Sequence, residues 1–213
     1  MALFYQHNIN ASTKVGVWRI EEPESFFLQK VPLKRDVSHP YKRLQHLAGR
    51  YLLTELYVDF PLEEIVIADT RKPYLDNEKY HFSISHCGNF AAAIVSATDR
   101  VGVDIERVTP RIRQIARKFL NESEQNILSG WELMPGLHLQ LSTILWSAKE
   151  SIFKWHSLGG VDFRKHISLH GPVDMGAREW ITLPFVFSKE EDRHLLVKAR
   201  SFQDLVLAWV ASH

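Results

Sequence analysis

Three carboxylates and two lysines in this chain have the types and spacing for chemistry on a phosphate group. Val101-Gly102-Val103-Asp104-Ile105-Glu106 alternates apolar and polar positions, the pattern of a β-strand with one face in a core. Asp104 and Glu106 then share the other face, about 7 Å apart along the strand. Two hard oxygen ligands held in that way suit a cation such as Mg2+, and Gly102 beside them is expected to leave room for a ligand. Further on, Trp146-Ser147-Ala148-Lys149-Glu150-Ser151-Ile152-Phe153-Lys154 contains no proline or glycine, and its residue types favour helix. Trp146, Glu150 and Lys154 fall four apart, so an aromatic ring, a carboxylate and an ammonium line one helical face. Alone, that row is a core tryptophan beside a surface Glu–Lys pair worth a few tenths of a kcal/mol. Combined with the strand, Glu150 becomes a third carboxylate ligand, and Lys149 or Lys154 faces an anionic substrate. That combination describes phosphate chemistry on a metal ion rather than a closed cation cage.

Several elements must position these groups. Lys14 to Ile20 reads as a strand, followed by an acidic turn at Glu21 to Glu24. Tyr41 to Tyr57 has a helical period, with Leu44, Leu47, Ala48, Tyr51, Leu52 and Leu56 on one side. Arg43, His46 and Arg50 lie elsewhere on that helix, and by spacing alone they form a solvated face. Phe82 to Ile84 and Phe90 to Ser96 read as strands joined by a hairpin at His86 to Asn89. His194 to Ala199 and Leu205 to Ala211 repeat that layout around Ser201 to Asp204. Each half thus closes with a hairpin after a helix, a faint duplication that predicts two similar α+β halves. The division is expected near Val108-Thr109-Pro110, giving halves 1–107 and 108–213. Thr109-Pro110 starts a helix with the apolar stripe Ile112, Ile115, Ala116, Phe119 and Leu120. Asn121 and Glu124 have the spacing of a capping box. Ser129 to Gly136 reads as a loop whose large apolar residues form either a small exposed patch or buried packing. Lys165 to His170 reads as strand, so His166 and His170 are assigned no zinc.

Bulk properties narrow the class. The 213 residues suffice for one large domain or two small ones, and 45% hydrophobic with 24% charged residues is ordinary for a globular protein. A net charge of +1 gives no global field toward nucleic acid or membrane. The single cysteine, Cys87, excludes an intrachain disulfide framework and fits a reducing cytosol. The N-terminal residues lack the basic and apolar runs of a signal peptide, and no stretch has the length of a membrane span.

The strand Gly102-x-Asp104-x-Glu106, the helix Trp146 to Lys154, the segment Lys72-Pro73-Tyr74 and the strand Phe82-Ser83-Ile84-Ser85-His86 occur in an order that resembles the 4′-phosphopantetheinyl transferase superfamily. The likeness is to its longer, single-chain, surfactin-synthetase-activating type and runs from about Arg43 to Lys154. It implies an α+β fold, a pseudo-twofold pair of similar α/β subdomains with coenzyme A in the cleft between them. It implies Mg2+ on Asp104, Glu106 and Glu150, with Glu150 as general base and Lys154 on the leaving phosphate. Arg43, Lys72, Pro73, Ser85, His86 and, as a second cation, Lys149 are the implied coenzyme A contacts, Arg43 at the 3′-phosphate. Glu124 matches a glutamate placed near the substrate, although capping is its first role. The implied partner is an acyl or peptidyl carrier protein of fatty-acid, polyketide or nonribosomal-peptide synthesis, served by a cytoplasmic monomer. Arg111 to Lys118 is a basic rim for that partner or an ordinary solvated face. Two departures stand out: Arg71 replaces the glycine common before Lys-Pro, and Cys87 replaces serine. Two alternatives are a different Mg2+-dependent phosphoryl enzyme, which lacks its nucleotide loop here, and a silent module binding the carrier protein or coenzyme A.

Overall fold

Residue alternation decides how two sheets come to share one core. The computed structural model describes residues 3–33, 37–173 and 179–213; Met1 and Ala2, part of the N-terminal signal reading, lie outside them. The first half holds strands Leu3–Asn8 (β1) and Thr13–Arg19 (β2), the short helix Glu24–Leu28 (α1) at the expected acidic turn, and helix Pro40–Leu56 (α2). A small hairpin, Ile65–Ile67 (β3) with Pro73–Leu75 (β4), precedes strands His81–Cys87 (β5) and Phe90–Ser96 (β6). The order β1-β2-β6-β5 makes a four-stranded sheet. On β6, Ala91, Ala93 and Val95 pack toward Leu47 and Leu52 of α2. Ala92 and Ile94, on its other face, enter a second core shared with the other sheet. A strand buried on both faces has to be largely apolar, and β6 is apolar from Phe90 to Val95.

The second half begins with Arg100–Arg107 (β7), followed by helices Arg111–Phe119 (α3), Glu122–Ser129 (α4) and Pro135–His156 (α5). Strands Ile167–Leu169 (β8), Ile181–Ser188 (β9), Asp192–Phe202 (β10) and Leu205–Ser212 (β11) complete a sheet of order β7-β11-β10-β9-β8. The two halves repeat one plan, strand, helix, hairpin, with the strand before the helices paired to the last: β2 to β6 and β7 to β11. Strand β7, which precedes the expected division at residue 108, pairs with the sheet of the second half. The carboxylate strand β7 opens the second repeat, held to β11 from Arg100↔Ser212 to Arg107↔Leu205. Residues 97–99 make the bend between the halves.

Val101, Val103 and Ile105 of β7 enter the core between the sheets, with Val15, Val17, Leu205 and Leu207. The opposite face of β7 meets α5. A Cβ on Gly102 would stand 2.0 Å from the Ser151 carbonyl oxygen and 2.7 Å from the Trp155 nitrogen. Gly102 therefore makes room for the α5 backbone and not for a ligand, which corrects that expectation. The close approach brings the α5 side chains onto the carboxylates.

The capping box forms as expected: Asn121 Oδ1 accepts from the Glu124 N–H and Glu124 Oε2 from the Asn121 N–H, each at 2.9 Å. In the segment Ser129 to Gly136, Trp131 packs on the core, whereas Leu133 is 96% and Met134 56% exposed. No helix among the described residues is long and apolar enough to cross a membrane.

Candidate active site

Asp104 lies at the junction of the halves and is 3% exposed. Its Oδ1 accepts from Ser85 Oγ on β5 at 2.8 Å and from Lys154 Nζ on α5 at 2.6 Å; Lys154 also donates to Ser85 Oγ at 2.8 Å. Three elements distant in sequence thus meet in one triangle. One turn-pair away on α5, the Trp146 indole N–H donates to Glu106 Oε1 at 3.0 Å. Eight helical residues span about 12 Å and two strand residues about 7 Å, so Trp146 and Lys154 converge on Glu106 and Asp104 with Glu150 between them. Sequence spacing put Trp146 on this face as an aromatic anchor; its indole also orients a carboxylate.

The three carboxylates crowd one another electrostatically. Burial raises the Glu106 carboxyl above its ordinary range, with the Asp104 charge adding to it. Burial, then Asp104, push Glu150 up to about 7, with Glu106 adding a smaller share and Lys154 opposing. Among the described residues, no three His, Cys, Asp or Glu side chains converge closely enough to hold a metal ion as they stand. The expected set of Asp104, Glu106 and Glu150 is therefore not a closed cage, and the Lys154 ammonium already holds Asp104 Oδ1. The donors still suit a hard cation, because Asp104 Oδ2 is buried without a hydrogen-bond partner. Mg2+ takes one or two carboxylates and completes its shell with water and substrate phosphates, so a closed cage is not required.

The remaining expected contacts divide. Ser85 lies inside the Asp104–Lys154 triangle, and His86 lines a cavity of about 260 Å3 together with Pro73, His46, Arg50 and Arg71. Burial, more than the nearby Lys154, lowers the His86 pKa and favours the neutral ring. Lys72 turns away from that cavity to the end of α5, donating to the Lys154 carbonyl at 2.6 Å and to Ser157 Oγ at 2.5 Å. A helix C-terminus offers unpaired carbonyls and the negative end of a dipole, and Lys72 answers both. Arg43 forks onto Glu24, with Nε to Oε1 at 2.7 Å and Nη2 to Oε2 at 3.1 Å, and is not in the cavity wall. His46 and Arg50, read from spacing as a solvated face, are in that wall; their clue was the i, i+4 pairing, seen as Arg50 Nη1 to His46 Nδ1 at 3.0 Å.

Lys149 requires a correction. It is fully buried, donating to Glu124 Oε2 at 2.6 Å and to the carbonyls of Phe119, Phe163 and Ile167 at 2.7–2.9 Å. A fully buried ammonium with four oxygen partners is a structural tie and does not face a substrate. Its partner Glu124, also fully buried, accepts the Leu169 N–H as well. Beyond Glu150, a groove of about 760 Å3 runs over Phe119, Trp146, Phe153 and Phe163, edged by Arg117 and Lys118.

Strand–helix–hairpin repeats meet here in a two-half protein that gathers carboxylates and a lysine at the junction of its halves. Residues 100–210 match the model of the 4′-phosphopantetheinyl transferase superfamily, and the chain belongs to that family. Enterobactin synthase component D of Salmonella typhi is 34% identical over 143 residues, covering 61% of this chain and 59% of that protein. The 4′-phosphopantetheinyl transferase AcpT of Escherichia coli O157:H7 is 31% identical over 125 residues, covering 57% and 62%. The 4′-phosphopantetheinyl transferase gsp of Aneurinibacillus migulanus is 31% identical over 125 residues, covering 56% and 49%. The match to the first of these thus spans 59% of that protein's length.

Proposed function

We propose that this protein transfers 4′-phosphopantetheine from coenzyme A to a serine of an acyl or peptidyl carrier protein in a Mg2+-dependent reaction. The observation that carries the reading is the meeting of Asp104, Glu106, Glu150 and Lys154 between a cationic cavity and an aromatic groove with a basic edge. The cavity suits the nucleotide and its phosphates. The groove suits the carrier protein and the pantetheine arm, since an acidic carrier helix complements Arg117 and Lys118.

The reaction breaks the bond between the β-phosphorus of the pyrophosphate and the oxygen leading to 3′,5′-adenosine diphosphate, and forms one to the serine oxygen. Asp104, Glu106 and Glu150 are the residues that would hold Mg2+, whose chemistry there is neutralisation of pyrophosphate charge. Glu150, which lines the aromatic groove, takes the serine proton as general base. Lys154 holds its ammonium at the junction and is placed to stabilise the departing phosphate. His86 supplies a neutral imidazole to the cavity wall. Trp146 keeps Glu106 oriented through its indole N–H.

The test is the intact mass of a purified apo acyl carrier protein after incubation with this protein, coenzyme A and Mg2+, with EDTA as control. A gain of one phosphopantetheine that EDTA abolishes supports the reading. No gain across fatty-acid and peptide-synthetase carriers, with coenzyme A still bound, would convert it to a silent binding module.

A further inference from the structure

The turn between β3 and β4 carries an arginine where its backbone asks for glycine. Ala68 O accepts from the Arg71 N–H at 2.8 Å, and the Ala68 N–H returns to Lys72 O at 2.9 Å. This closes a short turn followed by one residue in the left-handed region, with Arg71 at φ 67°. A bulged hairpin loop of that kind takes glycine by default, because a Cβ is disfavoured there. Glu78, Ser157 and Gln203 also have positive φ, but among these four Arg71 alone lines the 260 Å3 cavity.

That cavity has the composition of an anion site. Among the described residues, two guanidiniums, Arg50 and Arg71, and two imidazoles, His46 and His86, line it, and no Asp or Glu does. Leu62 and Ile65 add apolar wall, which suits a planar base beside a charged group. His86, in its wall, is the residue after Ser85 of the Asp104–Lys154 triangle along β5. Guanidinium groups bind phosphate through paired, charge-assisted hydrogen bonds, and backbone strain persists where a function maintains it.

We infer that Arg71 is a phosphate contact for the nucleotide half of the ligand, its side chain being the reason the turn tolerates a strained residue. The inference deepens the coenzyme A reading and rests on it. Calorimetric titration of the full chain with coenzyme A and with 3′,5′-adenosine diphosphate, in Mg2+, tests it against Arg71→Gly. Both dissociation constants should rise about tenfold, while the melting temperature stays level or rises because glycine relieves the left-handed strain. Should Arg71→Gly lose stability, Arg71→Gln, which keeps the backbone state and removes the charge, must show the same tenfold loss. Arg71→Lys, which keeps a charge but not the fork, should fall between. Wild-type protein that binds coenzyme A no better than the Gly and Gln variants overturns the Arg71 role and leaves the transferase reading standing. Wild-type protein that binds neither ligand overturns both.

Discussion

Single residues at the junction fall into those that face the site and those that build it. Lys154 is of the first kind: its ammonium sits on Asp104 Oδ1 and Ser85 Oγ at the surface of the cluster. Lys154→Ala should lower turnover by about two orders of magnitude and coenzyme A affinity by less than about threefold, because its charge serves the transition state. Equal losses in steady-state kinetics and in a binding titration would reassign it to plain binding. Cys87 is of the second kind. Burial, with Glu106 next, pushes its thiol up to about 11. The thiol is therefore protonated at pH 8, and the native protein should react with a thiol reagent about a hundredfold more slowly than the urea-unfolded chain. The native rate should climb about tenfold per pH unit until it levels near pH 11. Rapid labelling of the native state at pH 8 would show that the thiol is not desolvated.

At the scale of elements, the Trp146 to Lys154 face was legible because a four-residue repeat of aromatic, acid and base has one geometric consequence on a helix. The partner of each of those side chains was not. Lys149 and Lys154 are equally basic in the sequence, yet one is buried with Glu124 and the other reaches Asp104. Which lysine faces inward depends on where α3, α4 and β8 pack against α5, a property no local spacing encodes. Lys149→Met should cost about 3–5 kcal/mol in urea unfolding, since it leaves the Glu124 carboxylate buried and unpaired. Adding Glu124→Gln should recover part of that loss. A Lys149→Met variant of unchanged stability but lowered activity would restore the substrate-facing role. Gly102 taught the same lesson. Its conspicuous place before two carboxylates suggests ligand space, and only the position of α5 shows that the space belongs to a helix backbone.

At the scale of the whole molecule, the two repeats depend on each other. Ala92, Ile94, Val15 and Val17 of the first sheet are covered by Val103, Ile105, Leu205 and Leu207 of the second. Separation would expose a largely apolar sheet face on each side and leave Ser85 without Asp104. Residues 1–98 alone should therefore show no cooperative thermal transition, whereas the full chain should unfold in one. A cooperative melt of the isolated half, followed by calorimetry, would show that the halves are independent domains. The cationic cavity borders this junction without crossing it, since its walls come from α2, β5 and the β3–β4 hairpin region of the first half.

The sequence by itself determined the parts whose physics is local. Alternation in Val101 to Glu106 dictates a strand with its carboxylates on one face, and Asn121 to Glu124 dictates a helix start. Runs at Phe90 to Ser96 and Leu205 to Ala211 dictate hairpin strands, which the structure then buries on both faces. Tertiary structure decided everything that depends on which elements become neighbours. It assigned β7 to the second sheet through its ladder with β11, gave Asp104 to Lys154 and Glu124 to Lys149, and turned Lys72 to a helix end. It also moved Arg43 out of the cavity wall and put His46, Arg50 and Arg71 into it. Ion pairs and anion sites form between side chains separated by tens of residues, and their choice of partner is fixed only when the backbone has closed around them.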